Sequence, residues 1–193
     1  HEVLIETRAT TVTSADWRVR SLVLPTGFGL FGRLALGVVR PRQPVLGSEL
    51  AGVVVAVGTR VTRFKPGDAV FAFSDAAMGC HAQYKCLPEQ GAVALKPAHL
   101  TYGEAAALSF GGTTALDFFR RGRLQPGERL LVNGASGAVG TAAVQLARNL
   151  GAHVTAVCSV AHADLLMSLG AHEVIDYRTQ DFTLRGQTWD VVM

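Results

Sequence analysis

Asn133-Gly134-Ala135-Ser136-Gly137-Ala138-Val139-Gly140 is the stretch that decides the architecture of this 193-residue chain. It follows a short apolar run, Arg129–Asn133, and leads into a segment whose Val139, Ala143, Leu146, Ala147 and Leu150 share one helical face. Set against G-x-G-x-x-G it reads Ala135-x-Gly137-x-x-Gly140, with alanine at the first small position. Small residues let a strand turn sharply and bring backbone N–H groups within reach of a pyrophosphate. The helix that follows offers unpaired donors and a positive dipole end to the same anion. A side chain at Gly137 would hold the phosphate away. Ala135, Ser136, Gly137, Ala138, Val139 and Gly140 are therefore the candidate contacts to a dinucleotide. The alternative is a glycine-rich turn with no ligand, and the flanking strand and helix favour the binding site.

Downstream the alternation continues. Gly151 ends the helix, His153–Val157 reads as a second strand, and Ala161–Leu169 as a second helix closed by Gly170. Glu173–Ile175 and Asp190–Met193 complete four strands, which implies right-handed βαβ units on a parallel sheet. An NAD site usually carries Asp or Glu about 20 residues past the glycines, to hold the ribose 2′-OH. Here the second strand runs into Cys158-Ser159 instead. Ser159 can donate to a 2′-phosphate that a carboxylate would repel. His162, as a partial cation, and Tyr177, through its hydroxyl, are the further candidates, each equally readable as a surface polar residue. The pattern favours NADPH.

Upstream the period changes. Thr101-Tyr102-Gly103-Glu104 is a capping box before a helix expected over Ala105–Leu116. Residues 1–98 read as β: Glu2–Thr7, Ala51–Val57, Asp68–Phe73 and Ala82–Cys86, separated by Pro41, Pro44 with Gly47, Pro66-Gly67 and Pro88. Short strands with frequent turns suggest a barrel or sandwich. Two domains follow, 1–98 and 99–193. Leu22–Val39 is unusually apolar for a connection, with Phe28, Leu30, Phe31, Leu34 and Leu36, and Arg33, Arg40 and Arg42 lie close by. It reads as a lip selecting bulky ligands, as an interfacial patch, or as a segment packed on a further part of the protein.

Composition narrows the class. Hydrophobic residues at 49% against 17% charged leave enough apolar surface for cores and exclude disorder. A net charge of +3 is too small and scattered to imply nucleic acid. Arg33, Pro25 and four glycines interrupt the apolar run of 21–39, so no bilayer span is expected. Cys80, Cys86 and Cys158 have no framework spacing and read as reduced thiols of a cytoplasmic protein. The chain opens at His1 within a strand-like run and stops inside another, so it reads as truncated at both ends.

Asn133–Ser159, Leu169-Gly170-Ala171 and Val174-Ile175-Asp176-Tyr177 resemble the medium-chain dehydrogenase/reductase superfamily, nearest its zinc-independent quinone oxidoreductase branch, the zeta-crystallin-like enzymes. Gly47-Ser48-Glu49-Leu50-Ala51-Gly52, Phe64-Lys65-Pro66-Gly67-Asp68 and Thr113-Thr114-Ala115 extend the resemblance over essentially the whole chain. It implies a GroES-like β-barrel lobe followed by a Rossmann doubly wound parallel sheet, with the active site in the cleft between them. It also implies a homodimer when full length. Zinc-dependent members carry Gly-His-Glu where this chain has Gly47-Ser48-Glu49, and Ser48 is a poor ligand. No metal is expected.

The implied reaction is hydride transfer from NADPH to a quinone or an α,β-unsaturated carbonyl, a small-molecule acceptor whose conjugation carries the arriving charge onto oxygen. The resemblance places Thr13, Asp16 and Thr114 near substrate and nicotinamide. The related enzymes have Asn-x-x-Asp where this chain has Thr13-x-x-Asp16, so Asp16 matches and Thr13 departs. Asp16 is equally readable as a helix-capping carboxylate. Competing readings are an NADP(H)-binding protein with little turnover, a zinc alcohol dehydrogenase with a disguised motif, and an enoyl-reductase module of a larger synthase.

Overall fold

A computed structural model describes residues 1–23, 27 and 29–193, and the side chains of all of these but residues 30, 31 and 35. The chain separates into two compact units, His1–Ser109 and Phe110–Met193.

The first unit contains β1 (Glu2–Thr10), α1 (Ser14–Ser21), α2 (Gly29–Leu36), β2 (Glu49–Val57), β3 (Ala69–Phe73), β4 (Tyr84–Pro88), β5 (Val93–Leu95) and α3 (Tyr102–Ala107). Its strands form one antiparallel sheet in the order β4-β1-β2-β3-β5. Alternation sends Val3 and Ile5 of β1 inward to meet Leu50, Val54, Val70 and Leu87, all buried. Each such side chain contributes about 1.5–3 kcal/mol of burial. The β1–β2 register slips between Leu4 and Ile5 and between Thr7 and Ala9, and such irregularities bend and twist a sheet. Pro66-Gly67 makes the expected turn: Gly67 has φ +94° and its N–H reaches the Val54 carbonyl at 2.8 Å.

Three expectations need correction here. The strand expected over Ala82–Cys86 begins at Tyr84, and Val93–Leu95 is a further short strand that the turn signals around it concealed. The apolar connection 22–39 holds a helix, α2, in which leucines, Arg33 and Ala35 are good helix formers and Gly29 and Gly32 are poor ones. Its Leu34 and the following Val38 and Val39 are exposed, while Phe28 lies outside the described residues.

The second unit has α4 (Ser109–Gly122, starting at the end of the first unit), β6 (Arg129–Asn133), α5 (Ala138–Asn149), β7 (His153–Cys158), α6 (Ala163–Ser168), β8 (Glu173–Asp176) and β9 (Val191–Val192). The sheet is parallel, ordered β8-β7-β6-β9. Both faces are covered. Leu130, Val132, Val154 and Ala156 pack against Ala115, Phe119, Ala143, Val144 and Leu166 of the helices. Leu131, Val157 and Ile175 pack against Phe182 and Trp189, whose indole N–H donates to the Thr155 hydroxyl at 3.2 Å. The buried stripe of α5 is Gly140, Ala143, Val144 and Ala147, and Leu150 is largely exposed.

The helix expected over Ala105–Leu116 is two helices. The Leu108 N–H bonds to the Ala105 carbonyl three residues back, which tightens the end of α3 before α4 begins.

Candidate active site

In the second unit the glycines of the loop answer to different demands. Gly134 adopts φ +73°, which favours glycine. Gly140 packs so closely that a Cβ would stand 2.5 Å from the Gly134 oxygen and 2.6 Å from the Ala135 Cα. Gly137 has neither reason: its φ is −79°, and an added Cβ would meet only the Gly134 oxygen, at 3.5 Å. What its missing side chain leaves open is space over the start of α5. Gly137 caps α5 with no side-chain hydrogen bond, so the cap residue itself offers no acceptor to the first-turn amides of Ala138 and Val139. Ala135 is buried and its N–H reaches the Val157 carbonyl at 3.0 Å, which ties the loop to β7, and Ser136 is half-buried beside it. A loop with open space and unused donors fits a pyrophosphate.

Ser159 follows β7 at the carboxyl end of the sheet and precedes a one-turn helix, Val160–His162, without capping it through its hydroxyl. The Tyr177 N–H bonds to the Cys158 carbonyl at 3.2 Å, which brings Tyr177 beside Ser159 at the end of the neighbouring strand. Tyr177 and His162 are exposed. Two neighbouring residues were not among the site candidates read from the sequence. Asp176 stands opposite Cys158, and with desolvation first and its own charge second the Cys158 thiol is pushed above its ordinary pKa. Arg178 follows in the same turn, exposed, its N–H bonded to the Asp176 carboxylate at 3.1 Å. The signal was adjacency: both flank Tyr177 in Asp176-Tyr177-Arg178.

Thr114 is half-buried in α4. Gly111 brings the first turn of α4 onto α5, since a Cβ there would lie 2.5 Å from the Ala138 oxygen. Thr114 thus stands one turn beyond that contact.

In the first unit Thr13 and Asp16 form a complete capping box on α1. The Thr13 N–H and hydroxyl donate to Asp16 Oδ2 at 2.8 and 2.7 Å, and the Asp16 N–H donates back to Thr13 Oγ1 at 3.3 Å. Asp16 Oδ1 accepts from the Gly47 N–H at 2.9 Å. Asp16 is only 3% exposed. Desolvation works to raise its pKa, but the hydrogen bonds from Thr13 and Gly47, helped by the charge of His81, outweigh it and hold the carboxyl below the ordinary value.

His81 is a further residue of this region. Its Nε2 donates to the Thr11 carbonyl at 2.8 Å, and its ring lies where a Cβ on Gly47 would be, 2.3 Å from Cδ2. With Asp16, Trp17, Arg20 and Leu46 it lines a cavity of about 430 Å³. Seventy residues separate His81 from its Thr11 partner, so no local pattern announces the pair. Cys80 is buried against the Ser74 hydroxyl at 3.2 Å and Cys86 is exposed. Among the described residues no group of three His, Cys, Asp or Glu could hold a metal ion, and no helix is long and apolar enough to cross a membrane.

Residues 1–115 match the alcohol dehydrogenase GroES-like domain family, and residues 138–192 match the zinc-binding dehydrogenase family. A chloroplastic quinone-oxidoreductase homolog of Spinacia oleracea is 37% identical over 93% of this chain and 54% of its own length. A trans-enoyl reductase of Aspergillus terreus is 38% identical over 78% of this chain and 43% of its own. The crystal structure of the Escherichia coli quinone oxidoreductase complexed with NADPH superposes with a TM-score of 0.78 at 29% identity, over 95% of this chain and 52% of that one. This chain spans about half the length of the relatives it matches.

Proposed function

Because this chain belongs to the medium-chain dehydrogenase/reductase superfamily, with its GroES-like and dehydrogenase domains, we propose that it serves an NADPH-dependent reductase of quinones or α,β-unsaturated carbonyls. The observation that carries the reading is Gly137, a glycine required neither by backbone conformation nor by internal packing, at the open end of an uncapped helix. Bound NADPH would supply the hydride.

The chain's own residues supply position and charge. The amides of Ala138 and Val139 hold the pyrophosphate, with Gly137 leaving room for it, its own N–H bonded to the Gly134 carbonyl, and Ala135, Ser136 and Gly140 shaping the turn. Ser159, His162 and Tyr177 receive the 2′-phosphate, and the cation of Arg178 joins them. Thr114 is assigned to the nicotinamide. The cavity beside Asp16, Trp17 and His81 takes the acceptor. Thr13 and Asp16 act there as positioning residues: the carboxylate fixes the Gly47 backbone, against which the His81 ring rests. A conjugated acceptor suits such a site because it delocalises its own developing charge, and the protein has mainly to orient it. A homodimer and a cytoplasmic location belong to the same proposal.

The test is a tryptophan-fluorescence titration with NADPH and NADH in parallel, using Trp17 and Trp189, followed by NADPH oxidation against a panel of quinones and enones. Tighter NADPH binding with turnover of at least one acceptor is expected. Absence of binding by either nucleotide would sink the glycine-loop assignment. Binding without turnover on the whole panel would leave only the cofactor-binding half.

A further inference from the structure

Three arginines line one cavity of the first unit. Arg20 comes from α1, and Arg40 and Arg42 from the turn after α2; Pro41, Pro44 and Leu46 complete a space of about 480 Å³ whose lining contains no carboxylate. Arg20, Pro44 and Leu46 also line the cavity of Asp16, Trp17 and His81, so the two spaces adjoin.

Among the described residues none of the three arginines makes an ion pair. Asp16, the one carboxylate lining the adjoining cavity, already has both oxygens engaged, Oδ2 by the Thr13 N–H and hydroxyl and Oδ1 by the Gly47 N–H. Like charges around one cavity repel, and an anion of more than one charge would relieve that repulsion.

The turn that brings Arg40 and Arg42 there is held by the backbone. The Gly37 N–H donates to Arg33 at 2.8 Å and the Arg42 N–H to Leu36 at 2.7 Å. Gly37, at φ +130°, passes so near that a Cβ would stand 1.9 Å from the Arg40 oxygen. Pro41 and Pro44 stiffen the same stretch.

We propose that this cavity is a phosphate subsite: it binds the phosphate groups of an acceptor whose conjugated carbonyl enters the adjoining space. The chemical class is an enoyl thioester on a phosphate-bearing carrier. Planar guanidinium forks match phosphate oxygens in pairs, and three of them suit a multiply charged tail better than a single carboxylate. The adjoining cavity, with Val12, Trp17, Val45 and Leu46, suits the apolar acyl end. The inference rests on the reductase reading for the chemistry of the acceptor, but not for the presence of the anion site.

The experiment separates the two. Calorimetry with coenzyme A, which cannot be reduced, is run on the protein and on Arg40→Gln/Arg42→Gln, which leaves Arg20 of the acceptor cavity in place, with NADPH titrated alongside. Kinetics then compare crotonyl-coenzyme A with the crotonyl thioester of N-acetylcysteamine, which carries the same enone and no phosphate. The expected result is coenzyme A binding weakened about 10- to 100-fold in the variant, from the loss of charge-assisted hydrogen bonds. The KM for crotonyl-coenzyme A rises by a similar factor, and NADPH binding and the N-acetylcysteamine substrate are unaffected. Coenzyme A binding equal in the two proteins, or absent, overturns the subsite. An equal loss for both thioesters also overturns it, by showing a general structural defect. Co-sedimentation with phosphatidylserine vesicles that depends on the arginines, with unchanged coenzyme A binding, overturns it in favour of a membrane surface. Arginine-dependent coenzyme A binding with no reduction of either thioester supports the subsite and counts against the reductase reading alone.

Discussion

Two helices open in opposite ways. α1 begins with side chains that answer its unpaired amides: Thr13 and Asp16 bond to each other's backbone, and the carboxylate has an oxygen left for Gly47. α5 begins at Gly137 with no side chain at all, so its cap residue has nothing to offer the first amides. Both segments stood in the sequence as functional candidates, one from a resemblance and one from a spacing rule. The difference teaches that a polar group already satisfied within its own unit supports geometry, whereas donors left without a partner at a place without side chains await a ligand.

The sharpest way to break this contrast is to fill the open end. Gly137→Val should weaken NADPH binding by about 100-fold or more, since it displaces phosphate from at least two charge-assisted N–H contacts. Its urea unfolding midpoint should stay near that of the parent, because an added Cβ meets only one atom, at 3.5 Å. A parallel loss of stability would show that Gly137 serves packing after all.

Gly140→Ala is the converse. With a Cβ 2.5 Å from the Gly134 oxygen, the second unit should lose about 1–3 kcal/mol in urea unfolding, the range for overpacking. Nucleotide binding to the folded fraction should change less than in the Gly137 variant.

Asp16→Asn sharpens the other half. The amide cannot accept all three bonds, so about 1–2 kcal/mol of stability should be lost near neutral pH. The carboxyl's folded pKa lies below its ordinary 3.8. Its contribution is therefore fully present above that value and lost as pH falls through the folded pKa. The gap between parent and variant should close on acidification below about pH 4, as followed by urea titrations at stepped pH. A gap that persists at low pH would show that the carboxylate charge is not what Asp16 contributes.

The smallest effect belongs to Ser159→Ala. NADPH affinity should fall about three- to tenfold with NADH unchanged, the cost of one hydrogen bond to a charged group. Equal effects on both nucleotides would remove Ser159 from the 2′-phosphate.

What could be read from the sequence follows the range of each interaction. The glycine loop was legible because its demands lie within eight residues, Asn133 to Gly140. The capping box at Thr101-x-x-Glu104 was legible for the same reason, and Thr13-x-x-Asp16 has the same form. The break at Leu108 was not, because no glycine or proline marks it. Val144 was missed in the buried face of α5 and Leu150 wrongly included, because a face drawn on an ideal wheel does not say where the sheet lies. His81 and Arg20 were hidden for a different reason. Each reaches its cavity through tertiary structure, with partners that no spacing rule connects.

The position of β9 has a consequence in time. β6 lies inside its sheet, so it must pair on two sides. One partner, β7, begins 24 residues on, by the register Arg129↔His153; the other needs a loop of 61 residues, from Arg129 to Asp190. The extra closure entropy is only about 0.8 kcal/mol. That margin still favours the β6–β7 pair as the first to form, and β6 meets its second neighbour only after the longer loop has closed.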